Sequence, residues 1–453
     1  MGGGDGVTDI EASPDGPVDR RMALAREWDD LVGRVRGLGG FEDFLRPPRL
    51  DSLLPAASGG PVVVVNVSRW RCDALIVTEE GVRNRALPDL TLDRATEWAN
   101  SYLETLHAAE QAESEHQLAY DTVRADPKPS AIRAQQRAAG ALMTAAHRTD
   151  EMLGTLQRRL WDSVAAPVLD ELGLHRAPAS ADGPWTRLWW CPTGPLTLLP
   201  LHTAGYYDAA LDETEPRTVL DRVVSSYTPT LRVLTEARAG RGTGGHAGTD
   251  DAGAPEEERM LVVSVGDAPG QPWLPNAGAE RDTLTELFPA GRHTLLEGPG
   301  ATRGAVEAAL ARHRWVHFSC HGDQDLAEPS RGGLLLHDGV LTVADLAARQ
   351  SRGDFAGLSA CKTAVGGVNL LDEAITLASA LHYTGYRHVV AALWSVDDRT
   401  AARVFDAVYR YMTVDGHLRP EAAAPALHRA VRALRREMPD QPRLWAPFTH
   451  IGP

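Results

Sequence analysis

Short apolar runs alternate with helical patterns from residue 259 to the C-terminus, and this alternation restricts the fold more than any other feature of the chain. Strands predicted at 260–266, 315–320, 355–360 and 388–394 alternate with helices predicted at 278–288, 301–312, 370–384 and 399–413. We expect the third helix to end at Gly385. Because the strands are apolar on both faces, we predict an α/β fold with a mostly parallel sheet flanked by helices.

A second α/β pattern occupies residues 59–238. Its predicted strands lie at 61–68, 72–78, 188–192, 195–204 and 223–229. Between them, residues 90–122 and 130–163 are rich in Ala, Leu, Arg and Glu, and the segment Asp126–Pro129 separates them. This arrangement predicts two long helices joined at a proline turn.

Two polar segments delimit these α/β patterns. Residues 239–258 contain almost no apolar side chains, which predicts a flexible linker or loop before the half at 259–453. The N-terminal residues 1–58 are predicted to comprise a disordered segment, 1–19, and a short amphipathic helix. Leu24, Trp28, Leu31 and Val35 lie at helical spacing in that helix.

Charge and hydropathy exclude two classes of partner. The formal net charge of −15 argues against general nucleic-acid binding, which depends on clustered positive charge. The sequence also lacks both the long apolar stretch of a membrane helix and the pattern of a secretory signal. We therefore expect a cytoplasmic protein that contacts neither nucleic acid nor membrane.

The four cysteines, at positions 72, 191, 320 and 361, have neither disulfide-framework nor zinc-site spacing. His317, Cys320 and His321 form a His-x-x-Cys-His run that could hold a metal. Strand alternation places the two histidines on one face and Cys320 on the other, and no second ligand cluster follows in the sequence. We predict no metal and no cofactor, and we expect Cys320 to lie in the core.

Two reactive side chains stand where predicted strands end. His321 follows WVHFSC and precedes Gly322, whereas Cys361 follows FAGLSA. A cysteine attacks carbonyl carbon as the thiolate and needs a nearby imidazole to form it at neutral pH. Since neighbouring parallel strands would bring both residues to one edge of the sheet, we predict a His321–Cys361 dyad, with backbone N–H groups of Gly322 and Cys361 donating to an oxyanion. Either residue alone would more simply be a core residue.

Five segments in sequence order resemble the CHAT domain. They are WVHFSCHG, RGGLLLHDGVLTVADL, GLSACKTAVGG, LASALHYTGYRHVVAALWSVDD and WAPFTHIG, and the likeness extends upstream to about residue 60. This bacterial caspase-like family is related to separase, gingipain and caspases and often accompanies tetratricopeptide repeats. The resemblance implies a cysteine endopeptidase with His321 and Cys361 as its dyad, and an inactive caspase-like half at 59–238.

The same resemblance implies a protein or peptide substrate and a role in bacterial defence or programmed death. It also implies an activating protein partner or a repeat domain, although no repeat period is visible in this chain. Relatives are held inactive until a loop rearranges, and 323–333 or 362–369 could be that loop.

Residues after the predicted strand 388–394 have two interpretations. By resemblance, Asp398 lies where separase-like relatives bind a basic side chain, with Asp397 beside it and Trp394 as a pocket wall. Asp398 could instead cap the following helix, and Trp394 could be a core residue. Two other functions also remain open, namely a non-catalytic signalling module that binds partners and a cysteine-dependent acyl transferase.

Overall fold

The alternating apolar runs form one mixed sheet of eleven strands in a computed structural model of the protein. The structure describes residues 17–39, 41, 44–178, 185–207, 216–239, 259–268, 271, 273–323, 328–348, 353–360 and 376–453. The chain divides by its internal contacts into two units, Met1–Leu53 and Leu54–Pro453. The sheet belongs to the second unit.

The sheet is mostly parallel, which confirms the prediction. The strands are β1 (Val62–Asn66), β2 (Asp73–Thr78), β3 (Gly81–Ala86), β4 (Arg187–Pro192), β5 (Val224–Tyr227), β6 (Met260–Ser264), β7 (His293–Glu297), β8 (Trp315–Ser319), β9 (Gly322–Asp323), β10 (Gly333–Leu336), β11 (Gly339–Thr342), β12 (Phe355–Ser359), β13 (His388–Ala392), β14 (Thr413–Val414), β15 (His417–Leu418) and β16 (Phe448–Ile451). The order in the large sheet is β3-β2-β1-β4-β5-β16-β13-β12-β8-β6-β7. Only β1–β2, β2–β3 and β13–β16 pair antiparallel among its described strands.

Helices of the second unit flank this sheet, and those predicted at 90–122, 130–163, 278–288, 301–312 and 399–413 are present within three residues of their predicted bounds. The described helices of the two units are α1 (Pro17–Arg36), α2 (Leu50–Leu53), α3 (Leu92–Ala125), α4 (Pro129–Leu160), α5 (Ala166–Glu171), α6 (Leu231–Ala239), α7 (Ala277–Leu287), α8 (Arg303–Leu310), α9 (Val343–Ala347), α10 (Leu377–Thr384), α11 (Asp398–Met412), α12 (Ala423–Glu437) and α13 (Pro442–Trp445). The two long helices, α3 and α4, pack against each other as a hairpin. Asp126 ends α3 and Pro129 begins α4, which confirms the proline turn. Gly385 ends α10 as expected, with a φ of 120° that favours glycine.

One predicted strand is wrong. Residues 195–204 form two 3₁₀ helices, Gly194–Leu198 and Leu201–Thr203. Pro195 and Pro200 fix their own φ angles and lack the N–H groups that a central strand needs, so the apolar run cannot join the sheet ladder.

The last strand of the chain, β16, lies between the strands of the two predicted halves. It pairs antiparallel with β13 and parallel with β5. The Trp189 indole N–H of β4 donates to the Gly452 carbonyl at 2.7 Å, and the Gly452 N–H donates to the Tyr227 carbonyl at 3.2 Å. The division into 59–238 and 259–453 stays a prediction, because one continuous sheet contains strands from both ranges.

A chain of buried polar side chains crosses the β5–β16–β13 seam. Arg187 donates to the Ser226 hydroxyl at 2.7 Å, Ser226 lies 2.8 Å from His450 Nδ1, and His450 Nε2 lies 3.1 Å from His388 Nδ1. Burial, together with nearby arginines, lowers the pKa of His388 to about 3. Burial also lowers the pKa of His450. Both imidazoles are therefore neutral in the folded protein at pH 7.

The N-terminal unit contains the predicted helix, α1, but its apolar side chains face outward. Met22, Leu24, Trp28 and Leu31 are all exposed, and Val32 is the buried residue of this helix. The spacing of the apolar residues thus predicted the helix, whereas their burial was not observed. The segment 1–16 and the linker residues 240–258 lie outside the described residues.

We expect acid to destabilise the protein through its buried histidines. Burial lowers the pKa of five of them, His202, His382, His388, His428 and His450. Because the unfolded chain binds these protons first, the stabilisation is complete above about pH 6.5 and is lost as pH falls toward the folded values. Between its unfolded and folded pKa, each histidine lowers the free energy of unfolding by about 1.4 kcal/mol for every unit that the pH falls.

The measurement is the thermal midpoint at about pH 7.5 and about pH 5. His388→Gln should reduce the difference between the two midpoints, because one proton-binding group is gone from the unfolded state. His147→Gln is the matched control, since that side chain is 74% exposed. Equal differences in wild type and His388→Gln would contradict the assignment.

Candidate functional site

Two neighbouring parallel strands end in register where the predicted reactive residues follow. Strands β8 and β12 pair in parallel, and Ser319 is the partner of Ser359 at their carboxyl ends. His321 lies two positions beyond Ser319, and Cys361 lies two positions beyond Ser359 in the sequence. Cys361 itself lies outside the described residues, together with 362–375. His321 and Cys361 therefore follow a pair of register partners at the same offset in the sequence.

A small three-stranded sheet holds the backbone around His321. The carbonyl of His321 accepts from the Leu335 N–H at 2.8 Å, and Gly322 in β9 pairs with Leu334 in β10. Strand β11 completes this sheet. The His321 side chain is half-buried. The backbone of His321 therefore lies between the end of β8 and the start of β9, and the pairing with β10 fixes it on the β9 side.

The other two members of the His-x-x-Cys-His run serve the core. His317 is buried, with Nε2 2.7 Å from Glu280 and Nδ1 3.0 Å from the Tyr409 hydroxyl. Cys320 is buried in the main apolar core, which confirms its predicted place. Both ring nitrogens of His317 are thus engaged by protein groups.

An open cavity lies beyond the carboxyl end of β13, one strand away from β12. Its volume is about 320 Å³. The helical hairpin α3–α4 forms one wall, and the segment after β13 and the start of α13 form the other. The lining residues are Leu106, Ala109, Glu110, Glu113, Leu142, Ala146, Thr149, Trp394, Ser395, Val396, Asp397, Arg443 and Leu444.

Three carboxyl groups, those of Glu110, Glu113 and Asp397, line this cavity. Removal from water at the wall, and then the charges of Asp397 and Glu110, raise the pKa of Glu113. The Ser395 hydroxyl donates to Glu110 at 3.1 Å, which ties the hairpin to the segment after β13. Among the described residues that line the cavity, Arg443 is the cation, and its guanidinium lies 3.4 Å from Asp150. The cavity therefore carries excess negative charge.

The structure gives different roles to the two predicted aspartates. Asp397 caps α11, accepting from the Thr400 N–H at 3.2 Å, and also lines the cavity. Asp398 accepts from the backbone N–H of Asn276 at 2.6 Å and from its side chain at 2.9 Å. The predicted helix cap is therefore present, but at Asp397. One oxygen of Asp398 is directed to the segment before α7.

Trp394 combines the two interpretations given for it. Its side chain is 2% exposed, its indole N–H donates to the Arg443 carbonyl at 2.9 Å, and its ring packs edge-on against Tyr102. It also lines the cavity. A core tryptophan thus forms part of the cavity wall.

Glu110 and Glu113 are site residues that the sequence does not reveal. They lie three positions apart on α3, in a run of charged residues that predicts an ordinary solvated helix face. Their proximity to Asp397 depends on how the hairpin packs against the end of β13. The spacing alone shows only that the two carboxyl groups share a face of the helix.

The comparisons with known proteins agree with this architecture. The model of the CHAT domain family matches residues 154–453, which is most of the chain. The chain therefore belongs to the CHAT domain family. No curated protein matches it.

Two crystal structures of the Saccharomyces cerevisiae separase–securin complex are similar in fold. They align with TM-scores of 0.54 and 0.53 at 9% and 8% identity, and each alignment covers 89% of this chain. The chain spans only about a third of the separase chains, 30% and 31%. At such low identity the likeness establishes the fold, which is caspase-like, and nothing of the activity. Among the described helices, none combines the length and apolarity that a membrane span requires.

The cap at the start of α11 can be separated from the charge at the same position. We expect Asp397→Ala to lower the free energy of unfolding by about 1 kcal/mol, because the Thr400 N–H loses its acceptor. Asp397→Asn keeps an oxygen at the cap and should stay within a few tenths of wild type. Thermal or denaturant unfolding measures both, and an equal loss in the two variants would contradict the cap.

Proposed function

We propose that the protein is a cysteine endopeptidase in which His321 and Cys361 form the catalytic dyad. The family and the caspase-like fold are consistent with a peptidase-type module. The observation that carries the proposal is the register of β8 and β12. Because Ser319 and Ser359 are partners, the two strands end together at one edge of the sheet, and neighbouring strands in a sheet are about 4.8 Å apart.

The proposed reaction follows from the chemistry of these two groups. His321 accepts the proton of the Cys361 thiol, and the thiolate sulfur attacks the peptide carbonyl carbon. Backbone N–H groups of Gly322 and Cys361 donate to the developing oxyanion. The C–N bond then breaks as His321 gives the proton to the leaving amine, and water hydrolyses the acyl-enzyme.

The cavity beside β13 supports a preference for substrates with a basic side chain. Strands β8, β12 and β13 are parallel neighbours, so their carboxyl ends lie along one edge of the sheet. The cavity is therefore one strand away from the position assigned to Cys361. A guanidinium group offers five donors to carboxyl oxygens and stacks on aromatic faces. We assign the substrate contact to Asp397, Glu110 and Glu113, with Trp394 as the wall, while a substrate contact of Asp398 stays a prediction.

We also propose that a protein partner regulates the peptidase. The separase of the two similar structures is in complex with the protein securin. A partner-controlled activity, in bacterial defence or programmed death as the family resemblance implies, is the corresponding proposal for this chain. Of the two candidate rearranging segments, 323–333 and 362–369, residues 324–327 of the first and all of the second lie outside the described residues.

The dyad predicts a specific pattern of loss among cysteine and histidine variants. Cys361→Ala and His321→Ala should each abolish proteolysis, by about a thousandfold or more, because each removes one member of a unit that acts together. Cys320→Ala is the matched control, since it removes a neighbouring thiol that is buried in the core. Mapping the new N-termini that each variant produces in a proteome, with any activating partner present, measures the effect.

Activity that survives in Cys361→Ala would contradict the dyad. Absence of Cys361 labelling by a peptidyl acyloxymethyl ketone that ends in Arg, even with an activator present, would favour a non-catalytic binding module. Transfer of the acyl group to an added amine in preference to water would favour the acyl transferase.

The acidic cavity predicts that the charge of the substrate side chain matters more than its shape. Two peptides that differ only by arginine or citrulline before the cleaved bond share side-chain length and shape, but citrulline is uncharged and has a carbonyl oxygen in place of one NH2 group of arginine. Neutralising the cavity with Glu110→Gln, Glu113→Gln and Asp397→Asn should lower kcat/KM for the arginine peptide by about tenfold or more and leave the citrulline peptide almost unchanged. Cuts that follow mainly acidic residues would contradict the basic preference.

A further inference from the structure

A buried polar network connects the two strands that precede His321 and Cys361. We call it the Glu280 network, and it consists of Glu280 on α7, His317 on β8, Ser359 on β12 and Tyr409 on α11. Ser359 Oγ donates to Glu280 Oε1 at 2.7 Å, and His317 Nε2 donates to Glu280 Oε2 at 2.7 Å. One carboxyl group therefore accepts from both strands, with one oxygen for each.

Tyr409 completes the network from the adjacent helix. While Nε2 of His317 donates to Glu280, Nδ1 of the same ring lies 3.0 Å from the Tyr409 hydroxyl. Burial, and then the charge of Glu280, raise the pKa of Tyr409, so the hydroxyl keeps the proton that it donates. The imidazole of His317 is thus held in one orientation by partners at both ring nitrogens.

The chain is shaped to admit this network. A Cβ atom at Gly357 of β12 would lie 2.6 Å from the Tyr409 hydroxyl and 3.0 Å from His317 Nδ1. Only glycine leaves room for both groups at that position. Phe405 also packs edge-on against the His317 ring, with 5.1 Å between the ring centroids. The polar groups are therefore enclosed by aromatic side chains, where an unpaired donor or acceptor would be costly.

The network extends from the core to the edge of the sheet. His317 and Glu280 are almost fully buried, whereas Ser359 is half-buried at the end of β12. His317 lies four positions before His321, and Ser359 lies two positions before Cys361. Because side chains alternate along paired strands, His317 and Ser359 lie on the same face of the sheet.

The two helices that supply the network are themselves connected. Asp398 at the start of α11 accepts from Asn276 just before α7, and the Thr283 hydroxyl of α7 lies 3.2 Å from Asp406 of α11. Asp397, the neighbour of Asp398, lines the acidic cavity. The helices α7 and α11 therefore connect the buried network with the edge of the sheet where the substrate is proposed to bind.

From these contacts we infer that Glu280 is a positioning residue, which through Ser359 and His317 holds the ends of β12 and β8 at the spacing that lets His321 take the proton of the Cys361 thiol. The inference rests on the proposed function, because it assigns to Glu280 the positioning of the same His321–Cys361 dyad. In the proposed role, Glu280 and its partners contact neither the substrate nor the reacting atoms. A network that only stabilised the fold would leave the thiol chemistry unchanged once the protein is folded.

The test measures the pH dependence of Cys361 alkylation by iodoacetamide, quantified at that residue by mass spectrometry of the full chain. In wild type the rate should rise with a midpoint below the free-thiol value of about 8.5, and His321→Ala should move it toward that value. Ser359→Ala and Glu280→Gln should move it in the same direction and lower the rate near neutral pH by about fivefold or more. Ser264→Ala, a buried serine of the next strand β6, is the matched control and should behave as wild type.

The variants separate failure of this inference from failure of the dyad. If wild type and His321→Ala titrate alike, the dyad is wrong and the inference falls with it. If His321→Ala shifts the midpoint but folded Ser359→Ala and Glu280→Gln do not, the dyad stands and the positioning role is overturned. Should Glu280→Gln fail to fold, Ser359→Ala decides, since it removes a single hydroxyl at the edge of the network. Glu280→Asp keeps both carboxyl oxygens, so its alkylation midpoint should lie between that of wild type and that of Glu280→Gln.

Discussion

The backbone pairing of β16 with both β5 and β13 is the constraint on which the architecture depends. A strand from the end of the chain lies in the middle of the sheet, so the sheet becomes continuous only when the C-terminus is in place. The seam is also polar, with Ser226, His450 and His388 bonded in a row and fully covered. Buried polar groups that are satisfied in this way specify one arrangement, because any slip of register would leave them unpaired.

The candidate site is a consequence of that continuity. Strands β8, β12 and β13 are parallel and adjacent, so their carboxyl ends lie along one edge of the sheet, where His321 follows β8 and the wall of the acidic cavity follows β13. The opposite wall comes from α3, whose Glu110 is bonded to Ser395 across 285 positions of sequence. The long helical hairpin and the C-terminal part of the sheet therefore form the acidic cavity together.

The sequence predicts the parallel strands well and the edges and contacts poorly. The apolar runs around Val316 and Ala356 are short, apolar on both faces and bounded by polar residues, which favours buried strands, whereas GVRNRA of β3 exposes most of its side chains at the sheet edge and lacks an apolar pattern. The prolines at 195 and 200 explain why an apolar run there is not a strand. Neither Glu113 in the cavity nor Glu280 in the core could be assigned beforehand, because their roles depend on helices packing against distant strands.

The place of β1 in the sheet bears on how the protein can be divided. Strand β4 pairs with β1 on one side, and β1, β2, β3 and α3 all precede residue 154, where the family match begins. A recombinant fragment cut at that boundary would leave β4, with Trp189 and Trp190, as an open edge whose free N–H and carbonyl groups invite pairing between molecules. It would also lack one wall of the acidic cavity. The residues matched by the family model, 154–453, thus omit three strands, β1 to β3, of the sheet in which they take part.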